Sequence, residues 1–536
     1  MNAHELQVGW IGLDDAGGSG QAELPAALYG SKASELAGMT ALGLPVPPAF
    51  VLPTALCGPI LSGDEKAQNV LRDGLAKGVA RLEAATRRKL GDARAPLLVS
   101  VRSGAEHSMP GMLETVLDVG MNAVSVHGLI RATGNPRLAF DSWRRFIQAY
   151  AEVVGGMETA PFDQALARMI EAEGVAHEGE LDPEALERLA SAFLVIAEDA
   201  GPPPDPMAQL FGAARAVYLS WRGSRAETYR RMNGLDHLLG TAVTVQIMAF
   251  GNAGGASGSG VAFSRDPANG AKTFYADFLF DAQGEDVVSG RRTPLDAAQL
   301  RDRLPQAARQ LEESVGTLEK ARRDMQDIEF TIENGKLFLL QTRSAKRTPR
   351  AALKIAVDLV AEGLIDRAEA LRRVAGIDVA KVGETTFVET APVVAHAVVA
   401  APGVACGRAC FAGAQAEDLA RRGEKAILIR RDTSTEDIAG FAAADGVLTA
   451  IGGRTSHAAV VARQMGKVCL VGCAALTIDA DGRGATIGGR AIRQGDWIAL
   501  DGASGEITFG RRDIAFEPAP ESKTILEWRQ EDVARP

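Results

Sequence analysis

Residues 452–463 read Gly452-Gly453-Arg454-Thr455-Ser456-His457-Ala458-Ala459-Val460-Val461-Ala462-Arg463. The apolar run before them, Gly446 to Ala450, predicts a strand. Two glycines then turn the chain, and Thr455 and Ser456 stand where a helix N-cap belongs. His457 falls in the first turn of a helix expected to run to Met465. Unbonded N–H groups and the helix dipole at that end favour a phosphoryl group on the ring. A neutral imidazole nitrogen attacks phosphorus at pH 7, and the N–P bond it forms stays reactive enough to pass the group on. Ala458 and Ala459 leave room for close docking. Short strands and glycine-bounded turns surround this motif from about 386 to 515, which predicts a separate α/β unit.

A chain of 536 residues is too long for one core, and roughly 150 residues per domain suggests three or four domains. With 46% apolar and 24% charged residues it has ordinary globular composition, which excludes a disordered, collagenous or disulfide-framed protein. The formal net charge is −10, with no long Lys/Arg run, so nucleic acid is not an expected partner. No uninterrupted apolar stretch is long enough to span a membrane, and the first residues lack a signal-peptide pattern. Cys406 and Cys410, like Cys469 and Cys473, are four apart without a CxxC pair; with Cys57 they are expected as buried, reduced thiols of a cytoplasmic protein.

Further elements follow from local pattern. Ser31 to Leu42 predicts a helix, and Leu97 to Val101 a strand that delivers Arg102 and Ser103 into a loop. Residues 140–232 predict a mostly helical subdomain, with Asp182-Pro183 as N-cap and first turn. Thr241 to Phe250 predicts a strand leading into the glycine-rich loop GNAGGASGSGV. Ile328 to Gln341 predicts a hairpin, and 346–385 a helical connector with Leu353, Ala356, Val357 and Val360 on one face. Residues 516–536 are expected to form a charged tail with a short helix.

The histidine string resembles the phosphohistidine motif of phosphoenolpyruvate-utilising enzymes. The strings LLVSVRSGA, SMPGM, TAVTVQIMAFGN, GVAFSRDP, QGEDVVSGRRTP, MQDIEFTIENGKLFLLQTR and AALKIAVDLV follow in the order of the pyruvate phosphate dikinase family, over about residues 25–530. The resemblance implies a multidomain α/β and α+β chain. An ATP-grasp nucleotide-binding domain with a helical insertion (1–345) precedes the connector, and a swivelling phosphohistidine domain (386–515) follows it. It implies ATP and inorganic phosphate as substrates and Mg²⁺ as cofactor. His457 would be the phosphoryl carrier, while Lys32 and Arg102 would bind and act on the phosphates. Ser31 replaces the second glycine of the family's glycine-glycine-lysine string.

Asp327, Glu329 and Gln341 match the family's residues around Mg²⁺ and phosphate, and Arg343 would neutralise the triphosphate. Asp327 and Glu329, two apart on a strand, share a face. A two-residue Asn-Gly turn would send Gln341 to the opposite face; a three-residue loop, Glu333-Asn334-Gly335, would pair it with Asp327, and that loop is the one expected. Asp277 and Glu285 resemble nucleotide-contacting acids, with Asp277 standing where the family has a glutamate. Gln246 to Met248 are candidates for the adenine pocket, and core packing serves them equally well. The resemblance also implies that the loop GNAGGASGSGV covers the phosphates through its backbone, with Gly255 and Ala256 standing where the family has two acidic residues. Thr455 resembles a threonine that is phosphorylated for regulation in some members, though capping the helix suffices to explain it.

The family's C-terminal barrel for pyruvate or phosphoenolpyruvate has no counterpart up to Pro536. A separate pyruvate-binding chain, another acceptor or a truncated chain would account for that, and an oligomer is compatible with the sequence. Two other readings are a nucleotide-sensing or regulatory subunit and an antibiotic phosphotransferase; the latter needs a substrate domain for which 346–385 is too short.

Overall fold

The structure is a computed structural model, and it describes residues 7–12, 23–109, 111–288, 294–432, 438–453, 456–479 and 482–533. The chain forms two compact units, one of residues 1–255 with Phe338–Thr342, the other of 256–337 with 343–536. The division runs inside the span 1–345 expected as one domain.

The first unit is built on an antiparallel sheet in the order Gly9–Ile11, Ala49–Leu52, Thr241–Ile247, Val99–Ala105, Thr115–Val119. Helices between 125 and 232 form the expected helical layer. Among them Pro183–Ala197 starts at Asp182, whose side chain accepts from the Ala185 N–H. Phe50, Leu71, Val99, Val101, Phe146, Phe193 and Tyr218 are among the buried residues that join this sheet and layer in one core. Arg102 and Ser103 are not in a loop. Their strand continues to Ala105 because Arg102, Ser103 and Gly104 pair with Thr244, Val243 and Ala242 of the neighbouring strand.

The second unit contains the strands Leu295–Asp296, Tyr275–Phe280, Gly258–Phe263 and Gln326–Glu333, hydrogen-bonded in that order, and the two ends of the strand Lys336–Ser344 that follows, whose middle is counted with the first unit. Because Gly258–Phe263 is a strand, the expected glycine-rich loop is confined to 251–257. The hairpin also departs from expectation. Its strands end at Glu333 and restart at Lys336, and both Asn334 (φ 49°) and Gly335 (φ 77°) are left-handed, so the turn has two residues. Yet the Ala345 N–H donates to the Met325 carbonyl at 3.0 Å, a register one residue longer than that turn dictates. Buried positions on the second strand change phase between Leu339 and Thr342. The irregularity brings Arg343 onto the face of Asp327.

One face of this sheet shares a core with the connector helices Pro349–Ala361 and Arg367–Arg373: Val261, Phe263 and Tyr275 cluster with Leu353, Ile355, Leu359 and Ala370. Residues 256–337 therefore group with the connector rather than with the first sheet. The segment expected as a tail is folded into the same core. Ile514–Pro518 pairs with Gly383–Phe387, and the helix Pro520–Val533 buries Ile525 against the connector.

The eight-stranded third sheet has a parallel centre, Val404–Cys410, Ala426–Arg430, Gly446–Thr449 and Val468–Val471. Helix His457–Met465 crosses from the third of these strands to the fourth. All five cysteines are free and buried, with Cys410 and Cys469 pushed up to about 12 by burial. No described helix is long and apolar enough to cross a membrane.

Candidate functional site

In the first unit, two cations share one face of the sheet. Lys32 lies on helix Ala26–Ala41 just after a break at Gly30 (φ 77°, ψ 155°). A Cβ on Gly30 would sit 1.9 Å from the Gly104 carbonyl oxygen, so only glycine lets the helix approach the strand this closely. Ser31 donates its hydroxyl to the Ala105 carbonyl at 3.0 Å, which gives this departure from the two-glycine string a role of its own. A Cβ on Gly104 would lie 3.5 Å from the Lys32 Cβ, and Arg102, two residues before Gly104, projects from the same face. The Arg102 Nη1 donates to the Leu340 carbonyl at 3.4 Å. Gln246 is buried and donates its amide to the Pro47 carbonyl at 3.1 Å. That bond ties two chain segments together, which is the packing role the sequence offered beside the adenine pocket.

In the second unit, the carboxylates gather on the sheet face. Asp277 and Glu329 both lie opposite Val261, on either side of it, and Asp327 lies opposite Phe263 in the adjoining row. Directly opposed residues share a face in an antiparallel sheet. Arg343 pairs with Asp327 at 2.8 Å and reaches Glu329 at 3.9 Å. Even so, burial outweighs Arg343 and holds the Asp327 carboxyl above the usual carboxylate range. Its Oδ1 is buried and, among the described residues, has no hydrogen-bond partner. A buried carboxylate short of positive charge beside a second hard oxygen donor fits a Mg²⁺ ion that takes its remaining ligands from phosphate and water. Asp327 and Glu329 would hold it. Among the described residues no three or more His, Cys, Asp or Glu are grouped so that they could hold a metal ion, so the side chains alone do not make a closed metal cage.

The histidine motif approaches this carboxylate face. Gly453 packs so tightly that its Cβ would lie 2.4 Å from the Pro294 ring and 3.5 Å from Asp277 Oδ2. Ser456 is the N-cap, its hydroxyl accepting from the Ala459 N–H, and His457 is the first helical residue. Thr455 lies outside the described residues; Glu285 sits in the short helix Gly284–Val288. Ser456→Ala is expected to lower stability by about 1 kcal/mol, read by denaturant unfolding, because the cap bond is lost.

Two residues here escaped sequence reasoning. Arg463, one turn and a half along the histidine helix, donates to the Ala400 carbonyl at 3.0 Å, and its burial holds it below the usual arginine range against the opposing pull of groups that include Asp277 and Asp266. Lys346 is held below the usual lysine range by burial and by Arg343. Arg463 stands inside the histidine motif, but only the fold brings it to Asp277. For Lys346 the one signal is its place just beyond Arg343.

A family model described as pyruvate phosphate dikinase, AMP/ATP-binding domain, matches residues 66–304 and 295–363. Another, described as PEP-utilising enzyme, mobile domain, matches 423–505. The pyruvate, phosphate dikinase of Clostridium symbiosum is 43% identical over 512 residues, which cover 94% of this chain and 58% of that protein. That of Rhizobium meliloti (strain 1021) is 43% identical over 537 residues, covering 95% and 59% respectively. The chloroplastic pyruvate, phosphate dikinase of Flaveria pringlei is 42% identical over 510 residues, covering 94% and 53%. The chain therefore spans somewhat more than half the length of these relatives. The first model alone takes in more than half of its residues, and the chain belongs to the pyruvate phosphate dikinase family.

Proposed function

We propose that this chain carries out the ATP side of a dikinase reaction, with an ATP-grasp nucleotide site and His457 as the phosphoryl carrier. An imidazole nitrogen of His457 attacks the β-phosphorus of ATP, the bond to the α,β-bridging oxygen breaks, and AMP leaves. Inorganic phosphate then takes the γ-derived group, giving pyrophosphate and phosphohistidine. Lys32 and Arg102 bind and orient the phosphates, Gln341 meets phosphate, and Arg343 neutralises the charge of the triphosphate. Mg²⁺, when bound, would offset the negative charge that builds on the phosphates. Asp327 and Glu329 would hold it, Asp277 and Glu285 contact the nucleotide, and Thr455 is a candidate for regulatory phosphorylation. The histidine domain then swivels to deliver its group to pyruvate, the substrate in the relatives' name, or to another acceptor offered by a separate chain.

The observation that carries this reading is the position of the Gly452-Gly453 turn before His457, beside Asp277 on the face that also bears Asp327 and Glu329. The test is incubation with ATP labelled at the β or γ position, Mg²⁺ and phosphate, comparing the chain with His457→Ala. Acid-labile, base-stable β-label with AMP release is expected for the unsubstituted chain alone. Tight ATP binding without label or AMP would overturn the enzyme reading in favour of a nucleotide-sensing module. Adding pyruvate with and without a pyruvate-binding chain then tests the acceptor.

A further inference from the structure

We propose that Asn252 and Asp141 are positioning residues for the glycine-rich turn: through one buried hydrogen bond the helical layer holds the root of the turn. The inference deepens the functional reading above, and only its nucleotide arm rests on that reading.

The turn's first half, 251–255, belongs to the first unit. Its tip at Gly255 is exposed, whereas Asn252 is 3% exposed and Phe250 is part of the core. The Asn252 amide donates to Asp141 Oδ2 at 3.1 Å. Asp141 lies on helix Pro136–Val153, and a Cβ on Gly254 (φ 109°) would come within 4.0 Å of the Asn135 amide nitrogen at that helix's N-cap.

Asp141 is no ordinary surface acceptor. It is 4% exposed, and takes Arg144 Nε on Oδ1 at 2.9 Å and Arg145 Nε on Oδ2 at 3.1 Å. Burial opposes its ionisation, but Arg145, Arg144 and Arg137, helped by Asn252, hold it well below the usual carboxylate range. Glu178 closes the cluster against Arg144 and Arg145, which outweigh its own burial and keep it low as well. A carboxylate fixed by two guanidinium groups is a rigid, charged acceptor, and hydrogen bonds to charged groups are the stronger kind. The one partner of Asp141 outside the helical layer that these bonds identify is Asn252, so the bond ties the turn to the layer and contributes little to holding the layer together.

That asymmetry sets the test. Asn252→Ala leaves both Arg–Asp141 pairs intact and folds, whereas Asp141→Ala would take a buried carboxylate from both Arg144 and Arg145. In the nucleotide-free chain, amide hydrogen exchange at 253–255 is expected to speed up on the order of tenfold or more in Asn252→Ala, with 136–153 unchanged. ATP affinity should fall by a similar factor while AMP affinity, which needs no cover over the β- and γ-phosphates, stays the same. Asn252→Asp, which sets a second carboxylate against Asp141 in place of a donor, should behave like the alanine variant. Unchanged exchange at 253–255, or equal losses for ATP and AMP, would overturn the proposal. Failure of the unsubstituted chain to bind either nucleotide would overturn the functional reading instead, and the exchange measurement would still judge the anchor.

Discussion

Arg265→Ala is expected to destabilise the second unit by about 3–5 kcal/mol, the range for removing one partner of a buried ion pair. Arg265 is fully buried at the end of the strand Gly258–Phe263. Its guanidinium bonds Glu319 of helix Pro305–Arg322 at 2.9 and 3.0 Å, and Asp358 and Glu362 around the end of helix Pro349–Ala361 at 3.2 and 3.0 Å. Glu319 also accepts from the Ser264 hydroxyl and is itself buried, so deleting the arginine leaves a carboxylate that water cannot reach. The loss takes a large share of a typical domain's stability and should lower the unfolding midpoint on the order of 10 °C. Calorimetry on Arg265→Ala and Arg265→Lys measures it. The lysine variant keeps the charge without the fork that reaches both helices, and it should fall between wild type and alanine. A change under about 1 kcal/mol in the alanine variant would mean that water or a proton reaches Glu319 and that the arginine is not what holds the two helices to the sheet. The consequence reaches the site: this arginine joins the sheet that bears Asp277, Asp327 and Glu329 to the connector leading to the histidine domain.

Local signals are legible where local chemistry decides. The strand, double glycine, N-cap and helix around His457 all form where the residues require them, with Ser456 as the cap. Asp182-Pro183 does the same in the helical layer. Long-range pairing hides the rest. Ser103 and Gly104 look like a turn, but the neighbouring strand offers partners for both and the ladder continues. Gly258 and Gly260 read as loop residues, yet they stand in a strand crowded by the rings of Phe278 and Phe330, where any larger side chain would collide. In the hairpin, Asn334-Gly335 carries the two-residue signature and forms that turn. The expectation of a longer loop rests on bringing Gln341 to the face of Asp327. The shift instead lies farther along the strand, where sequence gives no sign of it. The nearness of Arg463 to Asp277, like the joining of the tail to the connector, depends on packing between segments nearly two hundred or more than a hundred residues apart, beyond any window of periodicity.

Gly30→Ala is the substitution expected to do most damage to the nucleotide side of the first unit. The backbone at φ 77° and ψ 155° lies in a region that essentially only glycine occupies, so a Cβ there is strained before any neighbour is considered. The neighbour is worse: the new carbon would lie 1.9 Å from the Gly104 carbonyl oxygen, which is backbone within a paired strand. The sheet cannot yield without breaking its pairing with Ala242, so the helix must move away instead. Lys32 moves with it, away from the face it shares with Arg102, and the Ser31 bond to the Ala105 carbonyl is lost. The expected outcome is a loss of at least about 2 kcal/mol in stability and a drop in ATP affinity of tenfold or more, a factor that corresponds to about 1.4 kcal/mol. Thermal unfolding and equilibrium ATP binding check the two separately. Ser31→Gly is the control: it removes one hydroxyl bond, about 1 kcal/mol, and restores the two-glycine string, so ATP affinity should stay within a few-fold of wild type. If Gly30→Ala binds ATP as wild type does, Lys32 does not depend on this contact for its position, and its place beside Arg102 would have to be secured elsewhere in the helix.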